Sequence, residues 1–143
     1  MHALNKASLI GHVGKDPKKE VLKDGTAVVR FSLATTDSWK DKSTGDWKDQ
    51  TEWHSIVIWN DKLIDVVDRQ IRKGCKLYLE GQIKSRKWTD KDKVEKTITE
   101  VVLPKFGGVL LILTKPQEKD PQGQGDPSEP YDAYPEMNDQ IPF

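Results

Sequence analysis

Thr51-Glu52-Trp53-His54-Ser55-Ile56-Val57-Ile58-Trp59 runs directly into Asn60-Asp61-Lys62-Leu63-Ile64-Asp65-Val66-Val67-Asp68-Arg69-Gln70-Ile71. The period of the apolar residues changes at that junction. Over the first nine residues, β-branched and aromatic side chains alternate with period two, as in a strand. Trp53, Ser55, Val57 and Trp59 fall on one face, and His54, Ile56 and Ile58 on the other. From a cap at Asn60 or Asp61, Leu63, Ile64, Val67 and Ile71 follow helical spacing instead. Gly74 stands where a helix C-terminus favours glycine. Lys76–Trp88 then returns to period two. Leu77, Leu79 and Ile83 face one way. Tyr78, Glu80, Gln82, Lys84, Arg86 and Trp88 face the other, provided that no bulge intervenes at Gly81.

Working outward, the other segments also read as strands and turns. Leu4–Val13 starts apolar and stops at the turn signal Gly14-Lys15-Asp16-Pro17. Ala27–Thr36 alternates, with Val29, Phe31 and Leu33 opposite Val28, Arg30 and Ser32. Lys40–Gln50 is polar, turns at Gly45-Asp46 and reads as a long hairpin loop. Lys18-Lys19 and Lys91/Lys93 read as solvated turns, and Thr89–Lys96 as a charged loop. Thr97–Leu103 and Val109–Leu113 complete the body. The expected fold is mostly β: a five-stranded barrel of the OB type with one short helix between its third and fourth main strands. Periodicity alone leaves an unrelated α+β sandwich as the alternative.

The formal net charge of zero hides an asymmetry. Residues 1–115 carry 22 Lys and Arg against 16 Asp and Glu, a balance of +6. Residues 116–143 carry one Lys and seven acids, a balance of −6. A basic body with an acidic tail suits a protein that handles polyanions. Six of the eight prolines follow Thr114, and 116–130 holds no Val, Ile, Leu, Phe or Trp. Such a stretch cannot offset the entropy of ordering. The expected organisation is therefore a folded domain over 1–115, a disordered Pro-rich acidic linker over 116–137 and a terminal tip over 138–143. The tip ends in apolar Ile141-Pro142-Phe143 beside Asp139, which suits a short partner-binding motif on a stalk. The N-terminus lacks the layout of a secretion signal, and no apolar run is long enough to span a membrane. A cytoplasmic protein, associated with the nucleoid, is the expectation. The lone Cys75 reads as a small core residue.

All five tryptophans fall between Trp39 and Trp88. Trp39 and Trp47 lie among Lys, Asp, Ser and Thr, and Trp88 follows Lys84, Arg86 and Lys87, surroundings poor for a core. Aromatics interleaved with cations suit unpaired nucleic acid. An unpaired base has a free flat face, and stacking it on an aromatic is worth about 1–3 kcal/mol. Nearby cations neutralise phosphates and release counterions. A duplex hides those faces, and stacking reads no donor or acceptor pattern, so the surface would prefer single strands and tolerate any sequence.

Catalysis has little support. His2, His12 and His54 have no partners at metal-ligand spacing. Ser8, Ser32 and Ser55 lack a nucleophile-elbow context. No metal and no cofactor are expected. Asp90, Asp92 and Glu95 would be the carboxylates of a metal-dependent nuclease, but they sit in a Lys-rich loop. A module preferring single-stranded RNA is the other alternative, since nothing here reads a 2′-hydroxyl.

The residues quoted so far resemble the bacterial-type single-stranded-DNA-binding protein family. The resemblance rests on Asn5-Lys6, Leu9-Ile-Gly11, Gly14-Lys-Asp-Pro17, Asp37-Ser-Trp-Lys-Asp-Lys-Ser-Thr-Gly45, Gln50-Thr-Glu-Trp-His54, Arg72-Lys-Gly74, Tyr78-Leu-Glu-Gly81 and Arg86-Lys-Trp-Thr-Asp90. It covers about residues 4–113 and returns at Asp139-Gln-Ile-Pro-Phe143. It implies an OB-fold homotetramer that wraps and protects single-stranded DNA in replication, recombination and repair. The stacking aromatics of that family match Trp39, Trp53, Trp59 and Trp88; the third is usually phenylalanine. Lys62, Lys73, Lys84, Arg86 and Lys87 are the candidates for phosphate contact. His54 and Tyr78 match subunit-contact positions, and Trp47 has no counterpart role. The tip Asp139, Ile141, Pro142 and Phe143 would recruit genome-maintenance proteins. Family tips carry two or three consecutive acids, whereas Asn138-Asp139-Gln140 carries one, so weaker recruitment is expected.

Overall fold

In the computed structural model, which describes residues 2–116, the chain forms seven strands and one helix. In chain order these are β1 (Ala7–Val13), β2 (Lys18–Val21), β3 (Ala27–Lys40), β4 (Trp47–Ile58), α1 (Asp61–Gln70), β5 (Lys76–Thr89), β6 (Glu95–Leu103) and β7 (Val109–Thr114). β1 pairs with β3, β3 with β4, β6 with β5 and β5 again with β1, all antiparallel. β4 and β6 pair in parallel. The circuit β1-β3-β4-β6-β5-β1 thus closes, the arrangement expected of an OB-type barrel. β2 is added on β3 and β7 on β5.

The inward side chains explain why the circuit is stable. Val29, Phe31 and Leu33 of β3 meet Ile56 and Ile58 of β4, Leu77 and Leu79 of β5, and Val101 and Leu103 of β6. The apolar stripe of Ile64 and Val67 in α1 and Ile71 at its C-cap joins the same core, with Cys75 beside it. Truncating one such buried leucine, Leu79 for example, costs about 2–5 kcal/mol. Asn60 is the helix cap: its Oδ1 accepts from the Lys62 N–H at 3.1 Å, and its Nδ2 donates to the Gly107 carbonyl at 3.0 Å.

Several expectations need correction. Lys18-Lys19 lie in a strand, β2, rather than in a turn; all four of its residues are exposed, so no apolar alternation marked it. The hairpin loop expected over Lys40–Gln50 is shorter, because β3 runs to Lys40 and β4 starts at Trp47. Polar cross-strand pairs extend that ladder past the barrel. Ile83 shares the face of Leu77 and Leu79, as its spacing implies, but is exposed. β1 covers β5 only as far as Gly81, and beyond it the Asn5 side chain bonds the Ile83 N–H and carbonyl at 2.9 and 2.8 Å. No bulge breaks the parity at Gly81; a Cβ there would sit 2.7 Å from the Val102 carbonyl oxygen, so glycine lets β5 and β6 approach. Gly74, with φ +91°, lies in the turn into β5, several residues past the last helical one.

Candidate nucleic-acid interface

β3 and β4 pair without interruption from Val29 opposite Ile58 to Lys40 opposite Trp47. That register assigns every side chain of the ribbon to a face. Opposite one another on the outer face lie Ser32 and Ser55, Ala34 and Trp53, Thr36 and Thr51, Ser38 and Asp49, and Lys40 and Trp47. On the core-side face lie Leu33 and His54, Thr35 and Glu52, Asp37 and Gln50, and Trp39 and Lys48. The hydrogen bonds agree. Thr36 and Thr51 hydroxyls meet at 3.0 Å, and the Ser38 hydroxyl donates to Asp49 at 2.6 Å. Across the other face, Thr35 Oγ1 meets His54 Nε2 at 2.8 Å.

The outer face continues across the sheet. Ser55 pairs with Glu100 and Val57 with Val102. On the far side, Lys84 lies opposite Glu100, Arg86 opposite Ile98 and Trp88 opposite Lys96. Trp53, Trp59 and Trp88 therefore share one surface; alternation within β4 implied it for Trp53 and Trp59, and the pairing through β6 adds Trp88. Trp39 does not join them: it projects from the opposite face of the ribbon. Trp47 does share the face of Trp53. Trp53, Trp47, Trp39 and Trp88 are 62%, 59%, 43% and 40% exposed, far from core values. Trp59 is half-buried and packs on Val28, Val57 and Val102, a small apolar cluster on the outside of the barrel. The Lys96 ammonium lies 5.5 Å from the centroid of Trp88.

Trp53 has a built seat. Its ring packs on Gly14, where a Cβ would collide with Cζ3 and come within 2.9 Å of Cη2. Gly14, Lys15, Ser32 and Trp53 line a shallow cleft there. One part of the indole is braced by backbone while the rest stays open, which suits a stacking platform. Gly14 and Lys15 read in the sequence only as a turn signal; nothing local connects them to an indole some forty residues later.

The cations differ in how free they are. Glu100, 6% exposed, holds two of them: Arg86 Nε at 2.6 Å and Arg30 at 3.6 Å. Its charge offsets part of theirs and fixes the Arg86 side chain in place. Lys84 has no ion-pair partner among the described residues. Lys87 is exposed but lies on the other face of β5, opposite Thr97, and pairs with Glu95 at 3.6 Å. It is thus adjacent to Trp88 in sequence only. Lys62 stands in the first turn of α1, three residues after Trp59. Lys73 stands in the turn after α1, its N–H bonded to Asp16 Oδ1 at 2.7 Å, which brings it beside the Gly14-Lys15 turn. Arg30 is an outer-face cation that the sequence reading placed correctly by parity but did not single out.

The two residues matched to subunit contacts lie on different surfaces. His54 faces the core side of the ribbon and already bonds Thr35. Tyr78 sits on the outside of β5, opposite Ile10 of β1 and Leu111 of β7. Its hydroxyl donates to Glu80, which also pairs with Lys6 at 3.3 Å. Tyr78's bond, then Lys6's, lowers the Glu80 pKa, and the same bond raises that of Tyr78. Around this pair, Ile10, Val109, Leu111 and Leu113 are exposed. At the tip of the ribbon, Asp41 is held well below the usual carboxylate range by Lys48, at 2.6 Å, and by Ser43. Those bonds tie down the turn between β3 and β4.

Among the described residues no cluster of His, Cys, Asp and Glu could hold a metal ion, and no helix is long and apolar enough to cross a membrane. The expectations for the linker and for the tip Asp139, Ile141, Pro142 and Phe143 lie outside the described residues.

Over 99% of its length the chain is 40% identical to the single-stranded DNA-binding protein of Rickettsia prowazekii (strain Madrid E), covering 98% of that protein. It is 47% identical over 111 residues to that of Rickettsia conorii (strain ATCC VR-613 / Malish 7), covering 78% of this chain and 73% of that one. Among solved structures, the Plasmodium falciparum SSB complex with ssDNA is similar, with a TM-score of 0.71 and 38% identity, covering 80% of this chain and 98% of that one. The model of the Single-strand binding protein family matches residues 4–107. With the closed strand circuit and the tryptophan-bearing outer face already in view, the chain belongs to the single-strand binding protein family.

Proposed function

We propose that this chain binds and protects single-stranded DNA without regard to sequence, during replication, recombination and repair, and catalyses no reaction. One observation carries the reading: Trp53, Trp59 and Trp88 share an outer face on which the Trp53 ring is braced by Gly14 and left open to a base. Stacking there would supply sequence-tolerant affinity. Lys84, Lys96 and the half-neutralised Arg86 would meet phosphates alongside, with Lys62 and Lys73 at the margins. Trp39 would take bases on the other side of the ribbon.

The family relationship and the exposed apolar face of β1, β5 and β7 favour a homotetramer, with Tyr78 inside a subunit contact and His54 at another. The tip Asp139, Ile141, Pro142 and Phe143 would recruit genome-maintenance proteins in the cytoplasm, at the nucleoid. A titration of intrinsic tryptophan fluorescence with poly(dT), against duplex and poly(U) controls at low and high salt, tests the central claim. Quenching by poly(dT) is expected, absent with duplex and weaker with poly(U). No quenching and no binding would overturn it.

A further inference from the structure

From the register of the ribbon we infer that Trp47 is an additional base-stacking platform, and that the DNA track runs outward from Trp53 along the outer face of β3 and β4. The inference rests on the single-strand-binding reading above and extends it to a residue with no matched role in the family. Trp47 lies six positions from Trp53 on the same strand and the same face, about 20 Å along it. It is 59% exposed, nearly as much as Trp53. Between the two indoles the floor is small and polar: Thr36 is bonded to Thr51 and Ser38 to Asp49. Those side chains satisfy one another and leave no bulky group to interrupt an extended strand.

Lys40 lies directly opposite Trp47 on that face, a cation beside the ring. The Asp49 carboxylate on the same floor repels phosphate, so the strand there must run with bases inward and phosphates toward the edge. The platform is also held in place. Asp41 bonds Lys48 and Ser43, and Asp41 and Asp46 close the turn backbone to backbone at 2.8 Å. A ring this exposed, on an ordered tip and in line with Trp53, fits an unpaired base.

The test measures poly(dT) affinity of the full chain for wild type, Trp47→Ala, Trp47→Phe and Trp53→Ala, with far-UV circular dichroism and sedimentation on each. Trp47→Ala is expected to bind roughly 5- to 150-fold more weakly, the range of one lost stacking contact. Trp47→Phe, which keeps a ring, is expected to recover most of the affinity. The salt dependence is expected to match wild type, because no phosphate contact is removed. Trp47→Ala binding like wild type while Trp53→Ala binds weakly would overturn the inference and leave the function standing. Equal losses in Trp47→Ala and Trp47→Phe, or a fall in assembly size in Trp47→Ala, would also overturn it, by assigning Trp47 to structure or to contact between copies. Wild type failing to bind poly(dT) would instead remove the single-strand-binding reading itself.

Discussion

The β3-β4-β6-β5 face and the β1-β5-β7 face both leave large apolar side chains in water, with different chemistry. On the first, the exposed groups are indoles with cations near them and hydroxyls between them. On the second they are aliphatic, Ile10, Val109, Leu111 and Leu113, arranged around the Tyr78–Glu80 bond. An indole gives a base a flat surface and tolerates water at its edge. A branched aliphatic chain gains only by losing its water, which calls for a closely packed protein surface. Exposure alone does not separate the two faces. The kind of side chain, and what stands beside it, does.

The sharpest way to break the contrast is to put charge on the aliphatic face. Ile10→Asp with Leu111→Asp is expected to reduce the assembly to smaller species in sedimentation velocity while each chain stays folded, since both residues are exposed. An unchanged mass would show that this face is not a subunit contact. On the indole face, Gly14→Ala places a methyl group against the Trp53 ring and is expected to weaken poly(dT) binding several-fold, toward the Trp53→Ala value, in the same fluorescence titration. Full affinity would mean that the seat is irrelevant to stacking.

A smaller effect separates two cations on that face. Lys84→Ala is expected to reduce the slope of log affinity against log salt by about 1, the contribution of one phosphate contact. Arg86→Ala is expected to reduce it by less, because Glu100 already holds that guanidinium. Equal slopes would show that the ion pair opens when DNA binds.

The smallest effect concerns pH on the aliphatic face. Glu80 titrates below its ordinary value because Tyr78 and Lys6 favour its carboxylate. The unfolded chain therefore takes up the proton first as pH falls. The stabilisation is complete above the usual glutamate pKa of about 4.3 and is lost as pH falls through the lower folded value. Glu80→Gln is expected to lower Tm slightly at neutral pH, with the gap to wild type closing in that acid window. A gap constant down to pH 3, on the order of a unit below that usual value, would remove the assignment.

Much of this was legible in the alternation of single strands. Trp53, Val57 and Trp59 lie on the side their spacing implied, Asn60 caps the helix, and Ile64, Val67 and Ile71 face the core. What stayed hidden needed pairing between strands. Trp39 looks equivalent to Trp53 along the chain, yet the cross-strand register puts them on opposite faces. Lys87 needed no pairing: adjacent strand residues point apart, so its parity alone sets it on the face opposite Trp88. β2 was invisible because an exposed strand of Lys, Lys, Glu and Val has no face to bury. The Gly14 seat was invisible because its meaning lies in a ring that the fold brings to it.

Indoles on both faces of one ribbon also have a mechanical consequence. A strand that engages Trp39 as well as Trp53 must pass around an edge of the ribbon, as a rope turns on a cleat. Pulled by one end, it leaves one face before the other. Tension then meets a succession of small barriers rather than a single large one, and the strand peels free without the barrel having to open.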